Sequence, residues 1–262
     1  MPHSSVNGVR LYFEERGSGM PILGIHGAGS SAAFWEDAAA RLAELGRVIT
    51  YDRRGSNRSE RPHRYEVTSI QEHADDALGL LLELDATPAV LIGRSYGGTV
   101  GLELTLRQPE SVSGLALLEA GPMGLSPEYD AWFERLGETL EQTVAERGVD
   151  AVGEVVLREV FGAWEELPDV WRDVFTANSP ALLAEIRGRE RLSDNSLLAT
   201  LRTPTLIVAA ADSPKPLQQA NDGLVRALPQ ARFARVSGGH AIDPAGPDVL
   251  EFVAELTATM RT

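Results

Sequence analysis

A chain of 262 residues, 43% hydrophobic and 24% charged, has the composition of a water-soluble globular protein, with length for one large core plus an insertion. Its formal net charge of −14 argues against nucleic acid and anionic lipid as partners, since both call for a basic surface, and leaves small molecules. The lack of cysteine removes disulfides, thiol catalysis and thiolate metal sites together.

The opening stretch, MPHSSVNGVRLYFEERGSG, has no basic segment followed by an apolar one, and no apolar run reaches membrane-spanning length, so a cytoplasmic location is expected. Short apolar, β-branched runs then recur at 9–13, 21–25, 47–51, 89–93, 114–118, 204–209 and 232–236. From residue 21 onward they are near-continuous rather than alternating. That pattern predicts strands buried on both faces of a mostly parallel sheet flanked by helices, an α/β fold. The rhythm stops between about 122 and 200, where patterns such as YDAWFERLGETLEQTVAERG and DAVGEVVLREVFGAWEEL read as helices. A helical cap over 122–200 is therefore expected, inserted into a sheet domain made of 1–121 and 201–262.

The cap segment holds 16 Asp and Glu against 7 Arg and no Lys, so its net charge is −9 and its outer face should be solvated. It also holds three of the four tryptophans, Trp132, Trp164 and Trp171. These are candidates to line an apolar pocket for a neutral or partly apolar small molecule, with cap core as their ordinary alternative.

The run at 89–93 ends in Gly93-Arg94-Ser95-Tyr96-Gly97 and passes at once into a helical pattern. A strand that turns directly into a helix through G-x-S-x-G places the serine on a strained elbow with its hydroxyl exposed, a position suited to a nucleophile. The run at 21–25 is followed by His26-Gly27-Ala28-Gly29, where His26 beside a glycine turn reads as a loop-ordering residue. Late in the chain, Gly238-Gly239-His240 follows the last strand, which makes His240 the best base among the five histidines for a Ser…acid…His order. Their spacing suits no metal, and neither a metal nor another cofactor is expected.

Together with the YDRRGSNRS segment at 51–59, these motifs make the sequence resemble an α/β-hydrolase over almost its whole length, cap included. The resemblance implies Ser95 as nucleophile, His240 as base, and the amides of Ala28 and Tyr96 as the oxyanion hole. It implies an esterase or lactonase, since relatives that open epoxides or remove halide carry aspartate at the nucleophile. Carbon–carbon hydrolysis, perhydrolysis and acyl transfer use the same fold, and a silent ligand-binding protein is the alternative from another class.

The acid has two candidates. In most of the family it lies nine residues beyond the proline that opens the strand read here as PTLIVAAADSP; from Pro204 that position is Ser213, and Asp212 is one residue short. A one-residue offset at a strand end turns a side chain to the other face. Glu119, closing the strand in GLALLEAGP, matches the acid placement of lactonases that resemble zearalenone hydrolase. A glutamate ending a buried apolar strand needs a partner such as the Nδ1–H of a histidine. Glu119 is the favoured acid and Asp212 the alternative.

Overall fold

The computed structural model describes residues 2–162 and 164–260. It opens with an antiparallel hairpin of β1 (His3–Val6) and β2 (Val9–Arg16), joined through Asn7 and Gly8 at φ 47° and 79°. Asn-Gly suits such a turn because both positions require left-handed backbone. Strand and helix then alternate through β3 (Pro21–Ile25), α1 (Glu36–Leu42), β4 (Arg47–Tyr51), α2 (Ile70–Glu83), β5 (Ala89–Arg94), α3 (Tyr96–Arg107) and β6 (Val112–Leu118). Next come α4 (Pro127–Arg147), α5 (Val152–Phe161), α6 (Asp169–Ala177) and α7 (Ser179–Gly188) with no strand among them. The sheet resumes with β7 (Thr205–Ala210), α8 (Lys215–Ala227), β8 (Arg232–Val236) and α9 (Pro247–Met260).

The strands form one eight-stranded sheet in the order β1-β2-β4-β3-β5-β6-β7-β8. Pairings that involve β2 are antiparallel and all others are parallel. Each parallel step needs a crossover, and the crossover helices cover both faces, which is why the central strands carry no polar alternation. In β5, Leu91 packs with Leu80, Val100 and Leu224 from α2, α3 and α8. Its neighbours Val90 and Ile92 point the other way, against Ala38 of α1 and Phe252 and Val253 of α9.

Two sequence readings change. The four-residue β1 went unread, because HSSV at the sheet edge carries neither an apolar run nor clear alternation. The run at 232–236, expected to be buried on both faces, is an edge strand: β8 pairs with β7, and Arg232, Phe233 and Arg235 are exposed. Charged residues on such an edge discourage pairing with a further strand.

Helices α4 to α7 have an apolar core of their own, including Phe133, Leu140, Val152, Leu157 and Leu182, and it extends to Leu217 and Ala220 of α8. Among the described residues, no helix is long and apolar enough to cross a membrane.

Candidate active site

β5 ends at Arg94 and α3 begins at Tyr96, so Ser95 makes the turn alone, at φ 53° and ψ −125°. A serine holds this backbone only when its surroundings impose it. Here its N–H donates to the Leu118 carbonyl (2.8 Å) and its own carbonyl accepts from the Gly98 N–H (2.8 Å). The flanking glycines are required by space. A Cβ at Gly93 would strike the backbone of Gly97 and Gly98, and one at Gly97 would strike the carbonyls of Ile25 and His26.

His240, on the loop after β8, is buried and lines the same cavity as Ser95. Its Nδ1 lies 3.1 Å from Glu119 Oε2. Among the described residues the ring makes no hydrogen bond to the Ser95 hydroxyl, a contact that in such sites commonly tightens only around substrate.

Glu119 closes β6, also at φ 53°, with its N–H donating to the Val208 carbonyl (2.9 Å) of β7. Its carboxylate is fully buried and well supplied with donors: Oε1 accepts from Ala210 N–H (2.7 Å) and Asn221 Nδ2 (3.2 Å), and Oε2 accepts from the Ser213 hydroxyl. Such donors replace the hydration that a buried carboxylate gives up. Asp212 points elsewhere; it is exposed and accepts from the Gly238 N–H (3.0 Å), bracing the loop that leads to His240. Ser213, at the position where the acid is commonly found, donates to Glu119 instead.

The loop 26–30 sits under the nucleophile. His26 is fully buried; its Nε2 accepts from Arg53 N–H (2.9 Å) and its Nδ1 donates to the Gly27 carbonyl (2.8 Å). Burial, with Arg53 alongside, pushes its pKa down to about 3, so it is neutral and orders the loop. Arg53 donates to the His26 and Gly27 carbonyls (3.1 and 2.9 Å) and pairs with Glu185 of α7 at 2.8 Å, both side chains being fully buried. Glu185 also accepts from Gly29 N–H (3.2 Å), and Asn178 donates to the carbonyls of Gly29 and Ser30 (3.1 and 2.9 Å). The loop is thus held from the sheet side by Arg53 and from the helical excursion by Asn178 and Glu185. The amides of Ala28 and Tyr96 have no acceptor among the described residues, and Tyr96, as first residue of α3, has none within its own helix. The sequence reading singled out none of Arg53, Asn178, Glu185 or Asn221, and it met Ser213 only as the residue at the usual acid position.

The cavity, about 70 Å³, is walled by Ala28, Ser95 and His240 on one side and by Val156, Phe161, Trp171 and Phe175 on the other. Of the three candidate tryptophans it brings Trp171 to the site. Trp132 lies instead against Tyr129, ring centroids 5.6 Å apart, and both it and Trp164 pack on the apolar core of the excursion. Neither lines this cavity; both are half-buried against helices of the excursion.

A sequence signature described as "alpha/beta hydrolase fold" matches residues 20–242. A protein of Azorhizobium caulinodans named "Putative carbamate hydrolase RutD" is 29% identical over 95% of this chain and 95% of its own. Among solved structures, a thermophilic esterase from Thermogutta terrifontis is similar with a TM-score of 0.74 at 25% identity, covering 99% of this chain and 96% of that one. The enol-lactonase from Burkholderia xenovorans LB400 shares the fold with a TM-score of 0.77 at 22% identity, over 100% of both chains.

Proposed function

The chain is a hydrolase of the α/β-hydrolase fold family, and we propose that it cleaves a carboxylic ester or lactone through an acyl-enzyme on Ser95, without a cofactor. The observation that carries this reading is the Glu119–His240 hydrogen bond of 3.1 Å in the cavity onto which the strained Ser95 elbow opens. His240 Nε2 takes the Ser95 proton as Oγ attacks the substrate carbonyl carbon. The N–H groups of Ala28 and Tyr96 hold the oxyanion. Collapse breaks the bond to the leaving oxygen, which takes the proton from His240. Water, deprotonated by His240 in turn, then attacks the acyl carbonyl, and the acid product leaves with Ser95 restored. Glu119 accepts a hydrogen bond from Nδ1–H throughout, fixing the tautomer that leaves Nε2 free and stabilising the imidazolium. Helices α4 to α7 act as a cap whose Trp171, Phe161 and Phe175 exclude water from a partly apolar substrate.

A carbamate is the second candidate, favoured by the name of the Azorhizobium relative; the same attack at a carbonyl serves it, with nitrogen in place of the acyl carbon and the ester oxygen kept as leaving atom. Fluorophosphonate labelling with peptide mapping, followed by turnover of 4-nitrophenyl butyrate, a γ-lactone and an aryl carbamate, tests both. Modification at Ser95, turnover of ester or lactone, and loss of both in Ser95→Ala are expected. Turnover of the carbamate alone moves that reading to the front. Neither labelling nor turnover overturns the serine-hydrolase reading.

A further inference from the structure

The residue just before the nucleophile has no part in the acyl transfer described above. Arg94 lines the same cavity as Ser95 and His240, and it is half-buried. Among the described residues its guanidinium makes no hydrogen bond and no ion pair. The more deeply buried arginines are engaged: Arg53 holds Glu185, and Arg54 holds Asp76 and Glu72. The carboxylate whose charge Arg94 feels, Asp243, is outside ion-pair distance and is held by both oxygens on Arg41, at 2.7 and 2.8 Å. Burial pushes the Arg94 guanidinium down to about 10, which leaves it a cation at neutral pH.

A half-buried cation without a partner is incompletely hydrated, and the hydration a guanidinium gives up is repaid when an anion arrives with matching geometry. The remaining wall of the cavity, with Phe34, Val160 and Phe161, is apolar apart from the Ser30 hydroxyl and offers no anion. The geometry points to Arg94 as the binding group for a carboxylate carried on the acyl part of the substrate, a few bonds from the reacting carbonyl. The favoured substrate is then a short monoester of a dicarboxylic acid, or a lactone that carries a free carboxylate on its acyl part. The acyl part is the one that stays attached to Ser95 through both half-reactions, so a contact there serves acylation and deacylation alike. This deepens the ester or lactone reading and rests on it. It also replaces the neutral substrate expected from the acidic cap, because the cap acids sit mostly at solvent-facing positions where salt screens them, whereas Arg94 lies inside.

The test compares kcat/KM for mono-4-nitrophenyl glutarate with that for the neutral 4-nitrophenyl pentanoate, in wild type, Arg94→Met and Arg94→Lys. Loss of a hydrogen-bonded charge pair corresponds to about a 10- to 100-fold change. The anionic ester is expected to be preferred by wild type, with the preference ratio falling about that much in Arg94→Met and partly kept in Arg94→Lys. Free glutarate should slow fluorophosphonate labelling of wild-type Ser95 and lose that effect in Arg94→Met. Arg94→Gln, similar in shape and uncharged, serves if Arg94→Met does not fold. Turnover of both esters with no preference, or with a preference that Arg94 substitutions leave intact, overturns this inference and leaves the hydrolase reading standing. No labelling and no turnover of either ester overturns both.

Discussion

Replacing Glu119 by Gln separates the two carboxylates that the sequence left in competition. The side-chain amide keeps the shape and loses one acceptor. Oε1 now accepts from the Ala210 N–H, which cannot reverse, and from Asn221 Nδ2, which the Leu217 carbonyl (2.8 Å) also holds as a donor, so the glutamine oxygen settles there. Its NH2 is then forced toward the Ser213 hydroxyl, which can rotate to accept, and toward His240 Nδ1. Nδ1 becomes an acceptor and the ring proton moves to Nε2, the atom that should take the serine proton. A wrong tautomer in an otherwise intact triad costs roughly 10³ to 10⁴ in kcat, equivalent to about 4 to 5.5 kcal/mol of barrier. Asp212→Asn keeps an acceptor for Gly238 N–H at an exposed position, so its kcat/KM should stay within about 5-fold of wild type. The assay is steady-state hydrolysis of 4-nitrophenyl butyrate, with the fluorophosphonate labelling rate as a second readout and circular dichroism to confirm folding. A folded Glu119→Gln of near wild-type activity, or a collapse of activity in Asp212→Asn alone, would refute the reasoning.

Three further outcomes follow from buried groups and from the wall of the cavity. Glu190 is fully buried against Thr99 and Tyr129, and burial raises its pKa from 4.5 to about 7, so the folded state keeps a proton that the unfolded chain has lost. Stability should therefore fall as pH rises from about 4.5 to 7 and then level off, by on the order of 3 kcal/mol from this group; urea titrations should show Glu190→Gln lacking that component, and an unchanged pH profile would count against it. Glu185→Gln leaves the Arg53 charge unpaired inside the protein, and a loss of about 3 to 5 kcal/mol in urea denaturation is expected, with a loss under about 1 kcal/mol contradicting the buried pair. Trp171→Ala should raise KM several-fold with a small effect on the melting temperature, whereas Trp132→Ala should lower the melting temperature and leave KM nearly unchanged; the reverse pattern would place Trp132 at substrate.

What the sequence made legible was local. The β5 elbow was readable because a buried parallel strand is an uninterrupted apolar run and because glycine stands where a Cβ would collide with backbone. The helical excursion was readable from the absence of strands over 122–200, although the second helical pattern continued past the end of α5 at Phe161, where Gly162 follows with φ 87°. β8 was misjudged because RFARV looks like a strand whether or not a neighbour covers it, and exposure depends on sheet order. Asn178 and Glu185 gave no signal. They meet the loop at 26–30 across about 150 residues of chain, through side-chain hydrogen bonds that follow no period.

The position of the carboxylate next to His240 is a case where counting along one strand fails and pairing between strands decides. β6 and β7 are adjacent and parallel, with Leu118 opposite Val208, so Glu119 stands level with Ala209 near the C-terminal end of β7, close to the residues that follow that strand. Neighbouring strands are about 4.8 Å apart, a span that one longer side chain can bridge. A glutamate ending β6 can therefore bring its oxygens to the place an acid beyond β7 would occupy, and the left-handed backbone at Glu119 aims it there. The residue beyond β7 is then free to become a donor, and Ser213 is one, bonded to the carboxylate. A serine at the expected acid position together with a glutamate closing the previous strand forms a paired signature. Either residue alone is ambiguous, but the pair follows from the need to satisfy a buried charge from both strand ends.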